Sequence, residues 1–305
     1  MKLMMMVSLW AGLLMAAGMG VGVAAGQEEP VTGWQTTADL SLNLNQASYS
    51  DSWDGEENGS IIWTAKANVV AEKMLSEQFD WRNTLKLAFG QTHNEYIGDD
   101  RKRQWESPEK STDRIFFESL MRMTLGYFAD PYAAFTFESQ FYKVHTDGDS
   151  TLNKPLDPIT LTESVGLGRS ILKNEQTELF SRVGFAMRQH LTKNVINYDP
   201  EDVDSESVTD GGLEWVTDFA HTFGGDNLKY VSKLRVFQAL FNSEEDEFEN
   251  DDWKTADLAW ENTFSANVAK YIQVSLFAEL LYDKEIDERG RFRETLGLGL
   301  SYTLF

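Results

Sequence analysis

A chain of 305 residues with a formal net charge of −22 and no cysteine is long enough for one large domain. It excludes thiol catalysis, thiolate metal centres and disulfide scaffolding. Its acidic balance argues against nucleic acid as a partner.

The first element is a leader. Lys2 precedes the apolar run "LMMMVSLWAGLLMAAGMGVGVAAG", which fades into small residues before the polar "QEEP". This pattern predicts a secretory signal peptide over residues 1–25, cleaved near Ala25 or Gly26, with a single domain over 26–305. No later stretch is apolar for long enough to cross a bilayer as a helix.

Beyond the leader, side chains alternate with period 2, the mark of strands with one apolar and one polar face. Leu40, Leu42 and Leu44 alternate with Asp39, Ser41, Asn43 and Asn45. The second segment sets Trp63, Ala65, Ala67 and Val69 against Thr64, Lys66 and Asn68. The third sets Phe79, Trp81, Leu85, Leu87 and Phe89 against Asp80, Arg82 and Lys86. In the fourth, Ile115, Phe117, Met121 and Met123 oppose Arg114, Glu118 and Arg122. Ala133, Phe135, Phe137 and Phe141 carry the fifth, and Ile159, Leu161, Val165, Leu167 and Ile171 the sixth. The seventh has Leu179, Val183, Phe185 and Met187 against Arg182, Arg188 and His190. Segments eight to twelve follow at Leu213–Phe219, Leu228–Leu240, Ala256–Ala266, Ile272–Leu280 and Phe292–Leu304.

Twelve such strands predict an all-β protein, a closed antiparallel transmembrane β-barrel with lipid outside and a polar lumen. The negative mean hydropathy looks soluble but does not exclude a barrel, because only alternate strand residues need be apolar. Connections alternate in length. Short turns fall near 75–77, 130–131, 173–175, 224–226 and 269–270. Long polar loops fall near 48–58, 92–113, 145–156, 192–210, 242–252 and 284–290. Short turns on the periplasmic side, long loops outside and both termini periplasmic are the outer-membrane arrangement. Two aromatic girdles are expected: Trp63, Phe89, Phe141, Trp215, Phe241 and Tyr282 above, and Trp81, Tyr127, Tyr132, Tyr230, Tyr271 and Tyr302 below. Segment six fits worst. Glu163 and Arg169 fall on its lipid parity, and a bulge near 164–166 is expected to change their facing.

Three phrases are more specific than periodicity: "LNLNQASYSDSWDGEENGSIIWTAKANV", "WRNTLKLAFGQ" and "WENTFSANVAKYIQVSLFAELLYD". They resemble an uncharacterised outer-membrane barrel family of Gram-negative bacteria, a domain of unknown function. The features in common are Asn45, Gln46, Trp53, Gly55 and Ser60 early, and Trp260, Glu261, Asn262, Tyr282 and Asp283 late. The resemblance supplies a fold and no activity. The closing "GLGLSYTLF" resembles the signal that hands barrels to the assembly machinery, with Phe305 as its terminal residue.

The lumen parity carries both charges in equal measure. Folding strand ten onto eleven about Lys270 sets Glu261 beside Glu279 and Asp257 beside Asp283. Like charges directly opposite are destabilising, so cations must offset them. Lys233 is expected opposite Glu261, and Arg293 between Glu279 and Asp283. With Arg235, these seven residues form the candidate lumen charge network. It acts either as a brace for the wall or as a lining that attracts solutes.

A lipid hydrolase on the wall needs His two residues from Ser on one face. None of His93, His145, His190 and His221 has that spacing. No catalytic residue, metal site or cofactor is expected. The acidic runs at 197–210 and 242–252 read as solvated loops. The expected role is a narrow channel for small polar solutes or a barrel plugged by its own side chains. A surface-loop binding or adhesion protein is the alternative, and a lipid hydrolase comes last. Expected partners are outer-membrane lipids and lipopolysaccharide around the wall, and the assembly machinery at Phe305. Oligomeric state leaves no mark on the sequence.

Overall fold

The computed structural model describes residues 33–49, 58–98, 102–147, 150–195, 203–224, 227–246 and 251–304. The expected signal peptide and Phe305 lie outside them. Twelve long strands form the wall: β1 (Gln35–Ala47), β2 (Ser60–Met74), β3 (Phe79–Ile97), β4 (Glu109–Met123), β5 (Asp130–Ser139) and β6 (Ile159–Lys173). They continue with β7 (Thr177–Val195), β8 (Val203–Phe223), β9 (Leu228–Asn242), β10 (Asp257–Ala269), β11 (Ile272–Asp283) and β12 (Asp287–Leu304). Each is antiparallel to its chain neighbour, and β12 returns to β1, with Leu42 opposite Leu300. The sheet therefore closes and the barrel has no free edge.

Strand formation reaches past the expected loop boundaries. A short strand, Arg103–Trp105, extends the ladder of β3, and the connection from β5 to β6 contains the hairpin Tyr142–Asp147 with Ser150–Pro155.

The wall is apolar outside. Leu44 is 58% exposed, Leu296 72% and Phe292 65%, and large apolar side chains ring the whole cylinder. A band this apolar needs lipid rather than water. Aromatic contacts gather near both ends of the band. Phe89 lies 5.7 Å from Trp63 and 5.9 Å from Phe141 by ring centroids; at the turn side Trp34 lies 5.2 Å from Trp81, and Tyr271 5.9 Å from Tyr302. Tyr132 does not join them. It is buried in the lumen with Leu120, Ala134 and Phe180, because it sits on the inner parity of β5.

Outer-face tryptophans use a recurring device. Trp81, Trp215 and Trp260 each donate the indole N–H, at 2.9 Å, to a serine on the adjacent strand: Ser119, Ser181 and Ser232. In every case the serine lies two residues before the tryptophan's cross-strand partner, Met121, Val183 or Leu234. This diagonal keeps a donor satisfied where water is scarce. Ser232→Ala is expected to cost about 1–2 kcal/mol by stranding the Trp260 donor, measured as a shift in the denaturant midpoint of the lipid-inserted barrel.

The expected bulge near 164–166 does not occur. Pairing of β6 with β7 runs unbroken through Ser164, Val165 and Gly166, and the irregularity lies between Leu179 and Phe180. Glu163 and Arg169 therefore do face outward. Their heights explain how the wall tolerates them. Glu163 is ten residues from the turn-side end of β6 at Lys173, as Phe89 is from Phe79. At about 3.3 Å per residue and a tilt near 40°, this places the carboxylate at the loop-side rim of a band about 25 Å tall. There Gln189 donates to it at 3.4 Å. Arg169 is four residues from Lys173, and its guanidinium lies 4.2 Å from the Phe128 ring in the turn region. Both charges reach the rims, so the midplane cost does not arise.

Candidate luminal site

Period-2 alternation sends every second side chain of twelve strands into one narrow space. The residues that meet there form charged layers. Nearest the turns, Arg82 pairs with Glu72 on the adjacent strand at 3.0 Å and reaches across to Glu178 on β7 at 2.9 Å. In the same layer Arg122 pairs with Asp80 at 2.9 Å and donates to Ser170 at 2.8 Å.

The second layer centres on Glu118 of β4. Glu118, Arg182, Asp218 and Lys233 lie five residues from Met123, Thr177, Phe223 and Leu228, so all four share one height. Arg182 reaches Glu118 at 2.5 Å, and Lys233 donates to both carboxylate oxygens at 3.0 Å and to Asp218 at 3.3 Å. The Arg182 side chain is 1% exposed.

The third layer joins nearly opposite walls. Glu261 of β10 takes Lys86 of β3 at 3.2 Å and Arg114 of β4 at 2.6 Å. Glu138 of β5 takes Arg235 of β9 at 2.5 Å. Phe116 lies between the second and third layers and is 1% exposed. Lys86, Arg114, Lys233 and Arg235 stand 5.2, 5.3, 5.5 and 6.0 Å from its ring centroid, a cation–π collar around one aromatic plug.

Towards the loops, Arg188 holds Asp210 at 3.0 Å and Asp257 at 2.7 Å. Above it a short 3-10 turn, Asp252–Lys254, buries Trp253 against Ala186, Phe237 and Ala239. The turn is held by Lys284 on Asp252 at 2.6 Å and by Gln238, which donates to the Lys254 carbonyl.

The seven residues of the expected network are distributed as follows. Glu261 does face Glu279, and Lys233 does face Glu261 in register. The ammonium of Lys233 nevertheless turns to Glu118, while Lys86 and Arg114 satisfy Glu261. Arg235 goes to Glu138, with Glu214 at 3.5 Å, and Asp257 goes to Arg188. Arg293 is not between Glu279 and Asp283. It stands directly opposite Glu279, at 2.5 Å, and a bulge between Leu281 and Asp283 carries Asp283 to Asp287.

Sequence reasoning placed Glu118 on the inner face without singling it out, and it missed Phe116 and Trp253. Phe116 left a signal, an aromatic on the charged parity between Arg114 and Glu118. His190 lines the lumen with Nδ1 3.1 Å from the Thr160 hydroxyl, and His221 lies parallel to Phe219 and edge-on to Phe223 at the turn-side rim. Among the described residues no three His, Asp or Glu side chains are placed to hold a metal ion. Much of the acidic runs at 197–210 and 242–252 lies outside the described residues.

At the mouth, Glu285 sits in the turn after β11. Partial burial and the nearby Asp283, Asp210 and Asp257 carboxylates raise its pKa to about 7. A carboxyl with a raised folded pKa favours the fold when protonated, and that contribution is lost as pH rises through about 7. Glu285→Gln is expected to raise the melting midpoint at pH 8 and to leave it unchanged at pH 4. Equal effects at both values would contradict the crowding of carboxylates at the mouth.

The model of a family of proteins of unknown function (DUF3078) matches residues 44–145. No curated protein matches the sequence. Among solved structures, the chain is similar to the translocator domain of autotransporter NalP from Neisseria meningitidis, at 11% identity over 89% of this chain and 88% of that one, with a TM-score of 0.40. It is also similar to an outer-membrane channel from Pseudomonas putida F1, at 10% identity over 92% and 99%, TM-score 0.40. A third is Pseudomonas putida OprB, at 9% identity over 89% and 93%, TM-score 0.30.

Proposed function

We propose that this protein is a bacterial outer-membrane barrel whose lumen is held shut by its own side chains at rest, a structural or solute-holding wall element rather than an open diffusion pore. The apolar band and the sorting of short turns from long loops support the membrane and its orientation, with lipid and lipopolysaccharide around the wall. Assembly through a C-terminal signal ending in Phe305 belongs to the same reading, which includes no catalytic step. The observation that carries the sealed state is the bridge from Glu118 of β4 to Arg182 of β7 and Lys233 of β9, with Phe116 packed against it. An ion crossing the lumen must displace these pairs and pay their desolvation.

Planar-bilayer recording tests the reading. The native protein is expected to show no stable open step at neutral pH. Lys233→Ala leaves the Arg182–Glu118 pair in place, so it is expected to lower the melting midpoint without creating current. A steady ion-selective conductance in the native protein would instead establish the narrow channel.

A further inference from the structure

Between the third layer and Trp253 the lumen keeps a cavity of about 200 Å³. Its charged lining is Arg188 and Arg235 against Glu138 and Glu214, with the Thr162 hydroxyl and the hydrogen-bonded Thr160–His190 pair beside them and Phe237 as an apolar side. We propose that this cavity binds a small zwitterion, a molecule carrying one carboxylate and one ammonium on a skeleton of a few carbons.

Three features select that class. First, the lining charges already stand beside opposite ones, Arg188 on Asp210 and Asp257 and Arg235 on Glu138 with Glu214 near it, so a ligand of net charge would enter without a compensating partner, whereas a dipolar neutral one would not. Second, the hydrogen bonding in the cavity is incomplete. Arg235 Nε is buried and makes no hydrogen bond, and the carboxylate nearest to it, Glu214, stops 3.5 Å away. A ligand carboxylate on Arg235 and the threonine hydroxyls, with its ammonium on Glu214, would complete both groups. Third, the space lies below the volume of drug-sized sites, and Phe237 on its wall packs with the buried Trp253. The inference rests on the sealed-lumen reading for the floor of the cavity.

Isothermal titration calorimetry on the full-length barrel in detergent tests it, with L-alanine as the zwitterion and acetate and ethylammonium as its separated charges. L-Alanine is expected to bind at least about tenfold more tightly than either ion. Glu214→Gln removes the carboxylate proposed to receive the ammonium and is expected to reverse the order in favour of acetate. Thr162→Leu fills the cavity without touching the Glu118 layer and is expected to abolish alanine binding. The proposal is overturned if alanine gives no saturable heat, if either ion binds as tightly, or if Thr162→Leu binds alanine like the native protein. A variant that fails to fold leaves the native-protein comparison decisive. Current through the native protein would overturn the sealed lumen while leaving the calorimetry readable.

Discussion

Replacing Glu118 with alanine is expected to destabilise the barrel by about 3–5 kcal/mol and to admit ions through the lumen. The size follows from what is left behind. Arg182 and Lys233 are both buried and both point at this one carboxylate, and removing it leaves Arg182 without its ion-pair partner and Lys233 with Asp218 alone. The contrast is the Arg289–Asp287 pair at the mouth, whose arginine is 87% exposed, so that water and salt screen its attraction. Two measurements belong together here: the denaturant midpoint of the lipid-inserted variant, and its current in a planar bilayer. A Glu118→Ala barrel with native stability and no current would show that the layers above and below seal and brace the lumen without it.

Gly166→Val is expected to be the next most damaging substitution, at about 1–3 kcal/mol or more. Gly166 of β6 faces Gly184 of β7 on the inner parity. A Cβ on Gly166 would stand 2.2 Å from the Val183 carbonyl oxygen and 2.4 Å from the Gly184 Cα; one on Gly184 would stand 2.2 Å from the Val165 carbonyl oxygen and 2.7 Å from the Tyr132 hydroxyl. Bare backbone at both positions lets the strands approach and leaves room for the Tyr132 ring from β5. Alanine at either site is expected to be damaging in the same direction but less so, and the double alanine variant less than additive, because the two sites share one space. Folding yields into lipid vesicles, followed by tryptophan fluorescence, measure both effects.

The twelve strands were legible because a closed barrel imposes one local rule, and Leu40, Leu42 and Leu44 obey it in sequence. Hairpin register was legible for the same reason: the tight turn at Lys270 fixes Glu261 opposite Glu279. What could not be read was contact across the lumen. Glu261 finds Lys86, 175 residues away, and that meeting depends on strand tilt and barrel width, which alternation does not encode. Lys233 shows the consequence, since its register partner is Glu261 while its ammonium goes to Glu118. Glu163 failed differently. A charge on the lipid parity suggested a bulge, but its height at the rim, set by its ten-residue distance from Lys173, makes a bulge unnecessary. Trp253 lay just after an acidic loop run, where no period announces an inward-facing residue.

The central claim is that side-chain parity separates hydrocarbon outside from a filled polar interior. Because the chain has no cysteine, single cysteines can be introduced and spin-labelled without background. Labels at Leu42, Val183 and Leu298 in lipid vesicles are expected to relax with dissolved oxygen, while labels at Asn43, Ser275 and Thr295 are shielded from it. Equal oxygen accessibility at both sets, or outer-set labels relaxing instead with a water-soluble nickel chelate, would contradict the account.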